Sequence, residues 1–460
     1  MKNNTNVNDE VISKPDASTD KHSEGGHSHH SSSHSESSHH GDHHSGHHHH
    51  HSSEHHHSGG HHGSHHHHHG SGHHKSHKRR KKFKLNDKNR WWVIVGLLVI
   101  LIGLVTTFEI IHATKGDGGF WGNDDITEST LNVELINTNG MLVKDAVRKY
   151  LLTDLLNSYN SGVKLSSFSN NEGRLDQQVP VSIKFSTKYG NAILYKIELA
   201  DNDKFTDARV SYFEGSGGKY SFEHLYTNTE YFYRVTVCTT DGVESATGRF
   251  KTADTPRILS IDGLSNVRDI GNWKTDSGKR IKQGLLIRGT ELDGAVESGY
   301  HLTNKGLSDL INIYGIKMDI DLRADTAPSM DALGSRVEHR YYDMVMYEGI
   351  FTEIGKEKIR SVFSDLANPD NYPIYLHCTY GCDRTGTVCY LLEALLGVSR
   401  GDLLREYGLS NMNIALIKNV ENGLGAYSGD NIKEQTESYL LSCGVTEYQI
   451  ESIRNIFLGE

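Results

Sequence analysis

The chain has 460 residues, 58 acidic and 48 basic, and a formal charge of −10 at pH 7. Of its 32 histidines, 27 lie between His22 and His77, and residues 91–460, with 36 basic and 49 acidic side chains, stand at −13. That acidic remainder lacks the basic footprint of a nucleic-acid binder, and five scattered cysteines form neither a disulfide framework nor a zinc ribbon.

In chain order, residues 1–90 read as a disordered cytoplasmic tail. Up to about residue 74 it is Ser, Gly, Asn and His, with too little apolar surface to offset the entropy of ordering. The runs His47–His51, His55–His57 and His65–His69, within the His22–His77 stretch, offer neutral imidazoles that could bind a divalent metal weakly. Lys75 to Arg90 sets nine basic residues against Asp87 and suits anionic membrane lipid, at about 1 kcal/mol per cation. Trp91 to Phe108 then runs 18 residues without a charge and extends past Glu109 to Ile111. As a helix rising about 1.5 Å per residue, it would cover roughly 27–31 Å, the thickness of a bilayer core. The cations on its N-terminal flank keep the tail cytoplasmic and place residues 112–460 outside, in a single-pass membrane protein.

Residues 112–177 read as a linker and a small helical or mixed region, with one amphipathic helix expected over Met141–Tyr159. From 178 to 254 the apolar period becomes two: VSIKFS, AILYKIELA, ARVSYFE, EYFYRVTV and TGRFKT are strand-like runs between Gly, Asn and Asp turns, which implies a β-sandwich. Leu225, Thr229 and Tyr231 match the Leu-x-Pro-x-Thr-x-Tyr corner of fibronectin type III domains, with Thr227 where proline is usual. The stretch resembles that family, which implies a spacer or binding module.

Residues 255–460 hold the chemistry. In YPIYLHCTYGCDRTG, Pro373 to Leu376 suits a buried parallel strand, and from Thr385 the pattern is helical, with Val388, Leu391, Leu392 and Leu395 on one face. His377 to Gly386 therefore spans a strand–loop–helix junction, where backbone N–H groups can converge on one anion. Amides from Thr379 through Tyr380, Gly381 and Cys382 to Arg384 would cradle a phosphate, with Gly381 permitting the turn. Arg384 would clamp two phosphate oxygens, and the positive field favours the thiolate of Cys378 as nucleophile. Thr385 could donate to the sulfur, and no metal or other cofactor is required.

The decapeptide resembles the signature His-Cys-x5-Arg-Thr/Ser of the cysteine-dependent tyrosine phosphatases. More narrowly, it is similar to the loop His-Cys-x-x-Gly-Lys-Asp-Arg-Thr-Gly of the atypical bacterial tyrosine/dual-specificity phosphatases. Asn266–Gly271, Leu286–Gly289 and Asp321–Arg323 match three further motifs of that subfamily. The resemblance implies an α/β fold with a mostly parallel central sheet flanked by helices, and hydrolysis of phosphotyrosine or phosphoserine/threonine in a protein; the alternatives are a phosphoinositide or other small phosphomonoester as substrate and, from a different class, a non-catalytic surface protein that binds phosphorylated ligands. It implies Cys378 as nucleophile, Arg384 as clamp and Asp383 as general acid, with Asp343 as the rival acid on a separate segment. Cys382 stands where the subfamily has lysine, which removes a cation and leaves two thiols four residues apart, able in principle to form a blocking disulfide. His377, Arg268, Asp269, Asp321 and Arg323 are supporting residues, read either as substrate contacts or as ion pairs beneath the loop. Helices are expected over Thr303–Tyr314, Phe351–Leu366, Gly401–Gly408, Ile432–Leu441 and Val445–Phe457.

Overall fold

The computed structural model describes residues 131–158, 162–187, 192–215, 217–240, 242–294, 299–324 and 332–459. The expected tail (1–90), membrane helix (91–111) and first part of the linker (to 130) lie outside the described residues.

Two antiparallel sheets come first. β1 (Leu131–Ile136), β2 (Val181–Thr187) and β5 (Gly217–Phe222) form a three-stranded sheet in the order β1-β2-β5. β3 (Ala192–Ala200), β4 (Arg209–Glu214), β6 (Glu230–Thr239) and β7 (Gly242–Lys251) form a four-stranded one, β4-β3-β6-β7. Alternation decides their facing: Tyr231, Tyr233, Val235 and Val237 of β6 are buried against Val181, Ile183 and Phe185 of β2. The first strand comes from the segment expected to be linker, so the sandwich begins at Leu131 rather than near 178. At the corner before β6, the Tyr231 hydroxyl accepts the backbone N–H of Tyr226 at 2.8 Å. Thr227, where the resembled corner has proline, donates its own N–H to Gln283 at 2.9 Å, a bond proline could not make.

The helix expected over Met141–Tyr159 is instead α1 (Asp145–Leu151) and a single turn, α2 (Leu155–Ser158). The break falls at Leu152–Asp154, where the Asp154 carboxylate accepts the N–H of Asn157 and starts a new turn. This hairpin joins the C-terminal core: Val147, Tyr150 and Leu155 pack there, and Ser166 donates its N–H to Asn411 at 2.8 Å.

The C-terminal sheet has six strands: β8 (Arg257–Ile258), β9 (Arg268–Asp269), β10 (Leu286–Gly289), β11 (Met318–Asp321), β12 (Glu338–Tyr341) and β13 (Ile374–His377). Their order is β12-β11-β13-β10-β9-β8. The pairings from β12 to β10 are parallel, but β9 runs antiparallel to both β10 and β8, so the sheet is mixed, with three of its five pairings parallel as expected and an antiparallel edge. The cause is local: no helix separates β8, β9 and β10, and without a crossover consecutive strands must reverse.

Both faces are covered. Leu286, Met318, Ile374 and Leu376 meet α4 (Glu353–Leu366), α5 (Asp383–Leu395), α6 (Arg400–Gly408), α7 (Lys418–Leu424), α8 (Ile432–Ser442) and α9 (Glu447–Leu458) in one core, while Ile287 and Tyr375 point into another. The second core lies beside α3 (Asn304–Ser308), whose expected continuation to Tyr314 switches to a π turn over Asp309–Ile313, closed by the Tyr314 N–H on the Asp309 carbonyl. In α4, Ile359, Val362, Phe363 and Leu366 are buried at helical spacing, each contributing about 1.5–3 kcal/mol.

Arg257 couples sandwich to sheet. It is buried with its Nη1 on Asp269 at 2.8 Å, its Nε on the Leu225 carbonyl at 3.0 Å and its guanidinium 3.9 Å from the Tyr226 ring centroid. Arg257→Ala would leave the Asp269 carboxylate buried without its cation, partly compensated by the N–H groups of Gly271 and Gly284. We expect a loss of about 3 kcal/mol, read as a lower urea midpoint with the sandwich and sheet losing their mutual support.

Candidate functional site

β13 lies in the middle of the parallel strands, with Gly289 and Asp321 both opposite His377, so its C-terminal end opens where open α/β sheets bind ligands. Cys378 follows directly and is only 4% exposed. The loop ends at Cys382, which makes no side-chain cap to α5. By contrast, Thr352, Ser399, Asn431 and Thr446 cap the first turns of α4, α6, α8 and α9. The start of α5 thus keeps the N–H donors and positive dipole end that favour an anion.

Four consecutive carbonyls of the loop are held by donors of the surrounding scaffold. His377 Nδ1 lies 3.2 Å from the Cys378 oxygen. The backbone N–H of Glu291 donates to Thr379 at 3.1 Å. The Asn266 amide nitrogen reaches the carbonyls of Tyr380 and Gly381, each at 3.1 Å, and Arg288 adds a second bond to Gly381 at 2.7 Å. In a trans peptide the N–H points opposite to the C=O. Binding these carbonyls outward therefore turns the N–H groups of Thr379, Tyr380, Gly381 and Cys382 to the loop's inner side. Gly381 has φ +65°, and a Cβ there would stand 2.3 Å from the Gly289 oxygen, so no other residue fits.

Beneath the loop lies a cluster of buried charge. Glu406 on α6 accepts Arg268 Nε and Arg288 Nη1, each at 2.9 Å. Arg268 also donates to the Asn266 side-chain oxygen at 2.5 Å, which orients that amide with its nitrogen toward the loop. Arg323 pairs with Asp321, Glu291 and Asp293, and Asp269 with Arg257. Arg268, Asp269, Asp321 and Arg323 are thus all held in buried ion pairs, Arg268 beside the loop and Asp269 toward the sandwich. Glu393, on α5, is buried with both carboxyl oxygens lacking a hydrogen-bond partner among the described residues; burial and then Glu406 hold its carboxyl well above the usual range.

His377 is fully buried. Burial opposes its charge, but the Asp319 carboxylate in ion-pair contact at 3.2 Å outweighs that and pushes its pKa up to about 9. Asp319 also binds His339 Nδ1 at 2.9 Å.

The other expected residues are at or beside the loop. Asp383 opens α5, and its carboxylate accepts the Tyr347 hydroxyl, which in turn lies 2.9 Å from the Tyr407 hydroxyl. Arg384 directs its Nε to the Met344 carbonyl at 2.9 Å, which draws the 342–346 segment to the loop with exposed Asp343 beside it. Thr385 is fully buried and its hydroxyl has no hydrogen-bond partner among the described residues. Gly386, one turn into α5, packs against the Tyr407 ring. Tyr380 is half exposed, and the Cys382 thiol points to the Tyr380 carbonyl at 3.3 Å; burial and then Cys378 push its pKa up to about 11. All five cysteines are free thiols.

Sequence reasoning missed Glu406, Tyr347 and Tyr407 and left Asn266 and Arg288 as unassigned motif letters. Glu406 had a signal: it sits among Leu403, Leu404 and Tyr407 on the apolar face of its helix, where an unpaired carboxylate would be costly. Tyr347 had none, since its place depends on the fold of 342–351.

Residues 259–427 match the tyrosine phosphatase family. A Cupriavidus necator protein named "Putative tyrosine-protein phosphatase" is 27% identical over 186 residues, covering 34% of this chain; the chain spans 64% of that relative's length. Among solved structures, the core catalytic domain of the PP-IP phosphatase Siw14 from S. cerevisiae, in complex with citrate, is 20% identical with a TM-score of 0.25, covering 34% of this chain and 89% of that one. A second structure of the Siw14 catalytic core is 18% identical, also with a TM-score of 0.25, covering 34% and 88%.

The raised pKa of His377 sets a pH dependence. Its ordinary value of 6.5 applies to the unfolded chain and about 9 to the folded one, so its stabilising contribution is complete below 6.5 and is lost as pH rises through about 9. Urea unfolding at pH 6.5, 8 and 9.5 should show stability falling over this window, and Asp319→Asn, which removes the charge holding the proton, should flatten the slope. An unchanged slope in the variant would refute the assignment.

Proposed function

We propose that this chain, which carries a tyrosine phosphatase family domain at residues 259–427, hydrolyses phosphomonoesters through a cysteinyl-phosphate intermediate, with phosphotyrosine in proteins as its substrate class. The observation that carries the reading is the set of four scaffold-bound carbonyls, which leaves an anion cradle directly over a buried cysteine at a helix N-terminus.

In the first step the Cys378 thiolate attacks phosphorus, the S–P bond forms, the bond to the leaving oxygen breaks, and Asp383 gives that oxygen a proton. In the second, water attacks phosphorus, the Asp383 carboxylate takes the water's proton, the S–P bond breaks and the thiolate is restored. Arg384 and the amides of 379–382 bind the equatorial oxygens, which carry the charge of the transition state. Thr385, with a buried hydroxyl free to donate, stabilises the sulfur as it leaves. Tyr347 orients Asp383; this contact and the place of Asp383 directly after the loop, at the start of α5, favour it as the acid over Asp343, one residue before the carbonyl that holds Arg384.

The reading extends to the rest of the chain. The apolar run at 91–111, charged only at Glu109 and with nine cations before it, supports a single membrane anchor with the catalytic domain outside the cytoplasm. The basic segment 75–90 would rest on anionic lipid and the His-rich tail would take up divalent metal weakly. The sandwich, with its Tyr231 corner, serves as a fibronectin III-like spacer.

Purified protein assayed on p-nitrophenyl phosphate should lose at least about 10³-fold in kcat with Cys378→Ser, since no second nucleophile replaces the thiolate; equal turnover would end the catalytic claim. Asp383→Asn should lower kcat by about 10²-fold on poor leaving groups, and Asp343→Asn by far less; the reverse order would transfer the acid role. Phosphotyrosine, phosphoserine and inositol phosphate substrates compared by kcat/KM test the substrate class.

A further inference from the structure

The tether that aims the loop continues into a part of the chain outside the phosphatase family match. Asn266 sits at φ +54°, in the left-handed region that asparagine adopts more readily than other residues with a side chain. Its backbone is bonded by Asp176, ninety residues earlier. One oxygen of that carboxylate accepts the backbone N–H of Asn266 at 2.7 Å and also the hydroxyl of Ser265. Arg174 grips the same carboxylate with two bonds, at 3.0 and 2.9 Å, and donates to the Leu264 carbonyl at 2.8 Å. Burial works against the ionised form of Asp176, but Arg174, Ser265 and the Asn266 N–H together lower its pKa to about 2, so the acceptor is charged at every working pH.

Asn266 then turns its side-chain nitrogen to the Tyr380 and Gly381 carbonyls. Those two carbonyls set the direction of the N–H groups of Gly381 and Cys382, half of the cradle. A groove of about 460 Å³ borders both ends of this chain of contacts, lined by Arg174, Leu175 and Asp176 as well as by Tyr380 and Cys382.

We propose that Asp176 is a positioning residue for the phosphate loop: through the backbone of Asn266 it holds the peptide planes at 380–382 in the anion-binding orientation, which makes the 174–176 segment part of the active site's support. The inference rests on the phosphatase reading above and adds to it a residue from outside the matched domain.

The test uses the purified full-length protein, with tungstate affinity measured by calorimetry and kcat and KM on p-nitrophenyl phosphate. Asp176→Ala should weaken tungstate binding about tenfold and lower kcat/KM by a similar factor at temperatures well below its unfolding transition. Asp176→Asn, which keeps an acceptor oxygen for the Asn266 N–H, should fall between Asp176→Ala and wild type. Asn266→Ala should weaken tungstate binding as much as Asp176→Ala, and the double variant no more than either alone, because one tether is being cut twice.

A lowered unfolding temperature with unchanged tungstate affinity would mark Asp176 as merely structural and overturn the inference, as would additive losses in the double variant. If Asp176→Ala cannot be purified folded, Asn266→Ala decides: unchanged tungstate affinity there removes the link through which Asp176 acts. A wild type that binds no tungstate and turns over no substrate overturns the phosphatase reading and this inference with it, whereas an active wild type matched by Asp176→Ala overturns this inference alone.

Discussion

A loop that binds an anion with its own backbone must first dispose of its carbonyls. Each N–H turned inward sends the C=O of the same peptide outward, and a run of such oxygens left unbonded beside buried strands would each lose a hydrogen bond to water. Here the four carbonyls from Cys378 to Gly381 meet His377, Glu291, Asn266 and Arg288 in turn. The cradle is therefore set before any ligand arrives, which is the condition under which fixed dipoles stabilise charge most effectively. The rest of the C-terminal domain can be understood as support for those four donors.

That support is largely ionic and largely dry. Arg268 and Arg288 share the single carboxylate of Glu406, and burial beside them raises the pKa of the Glu393 carboxyl. Cys382 stands where the resembled loop has lysine, so the cations beside the loop are Arg268 and Arg288 behind it.

The sandwich and the C-terminal sheet are joined through specific polar contacts rather than by a plain linker. Arg257 carries the charge of Asp269 into contact with Leu225 and Tyr226, Gln283 reads both backbone groups of Thr227, and the α1–α2 hairpin contributes Val147, Tyr150 and Leu155 to the C-terminal core. The region read from its sequence as a linker supplies a strand to one unit and apolar side chains to the other. No local pattern announces this. The six residues of β1 look like a strand only when β2 is there to pair with them, and the apolar spacing of 141–159 predicts a helix without indicating the break at Asp154.

What could be read from the chain alone were features whose cause is local. The decapeptide from His377 to Gly386 combines a buried-strand ending, a glycine for the left-handed turn and a helical period, and these belong to neighbours in sequence. The two-residue alternation of the sandwich and the spacing of α4, α5, α6, α8 and α9 are legible for the same reason, whereas α7 was not read from the sequence. Tertiary structure decided which charges meet. Arg268 and Asp269, adjacent in sequence, point to opposite faces of β9, so one finds Glu406 and the other Arg257. Asp176 reaches Asn266 across ninety residues, and Tyr347 reaches Asp383 from another segment. Coulomb attraction and hydrogen bonding act over a few ångströms of space whatever the distance along the chain, so partners of this kind are fixed only once the sheet and its helices have closed around the loop.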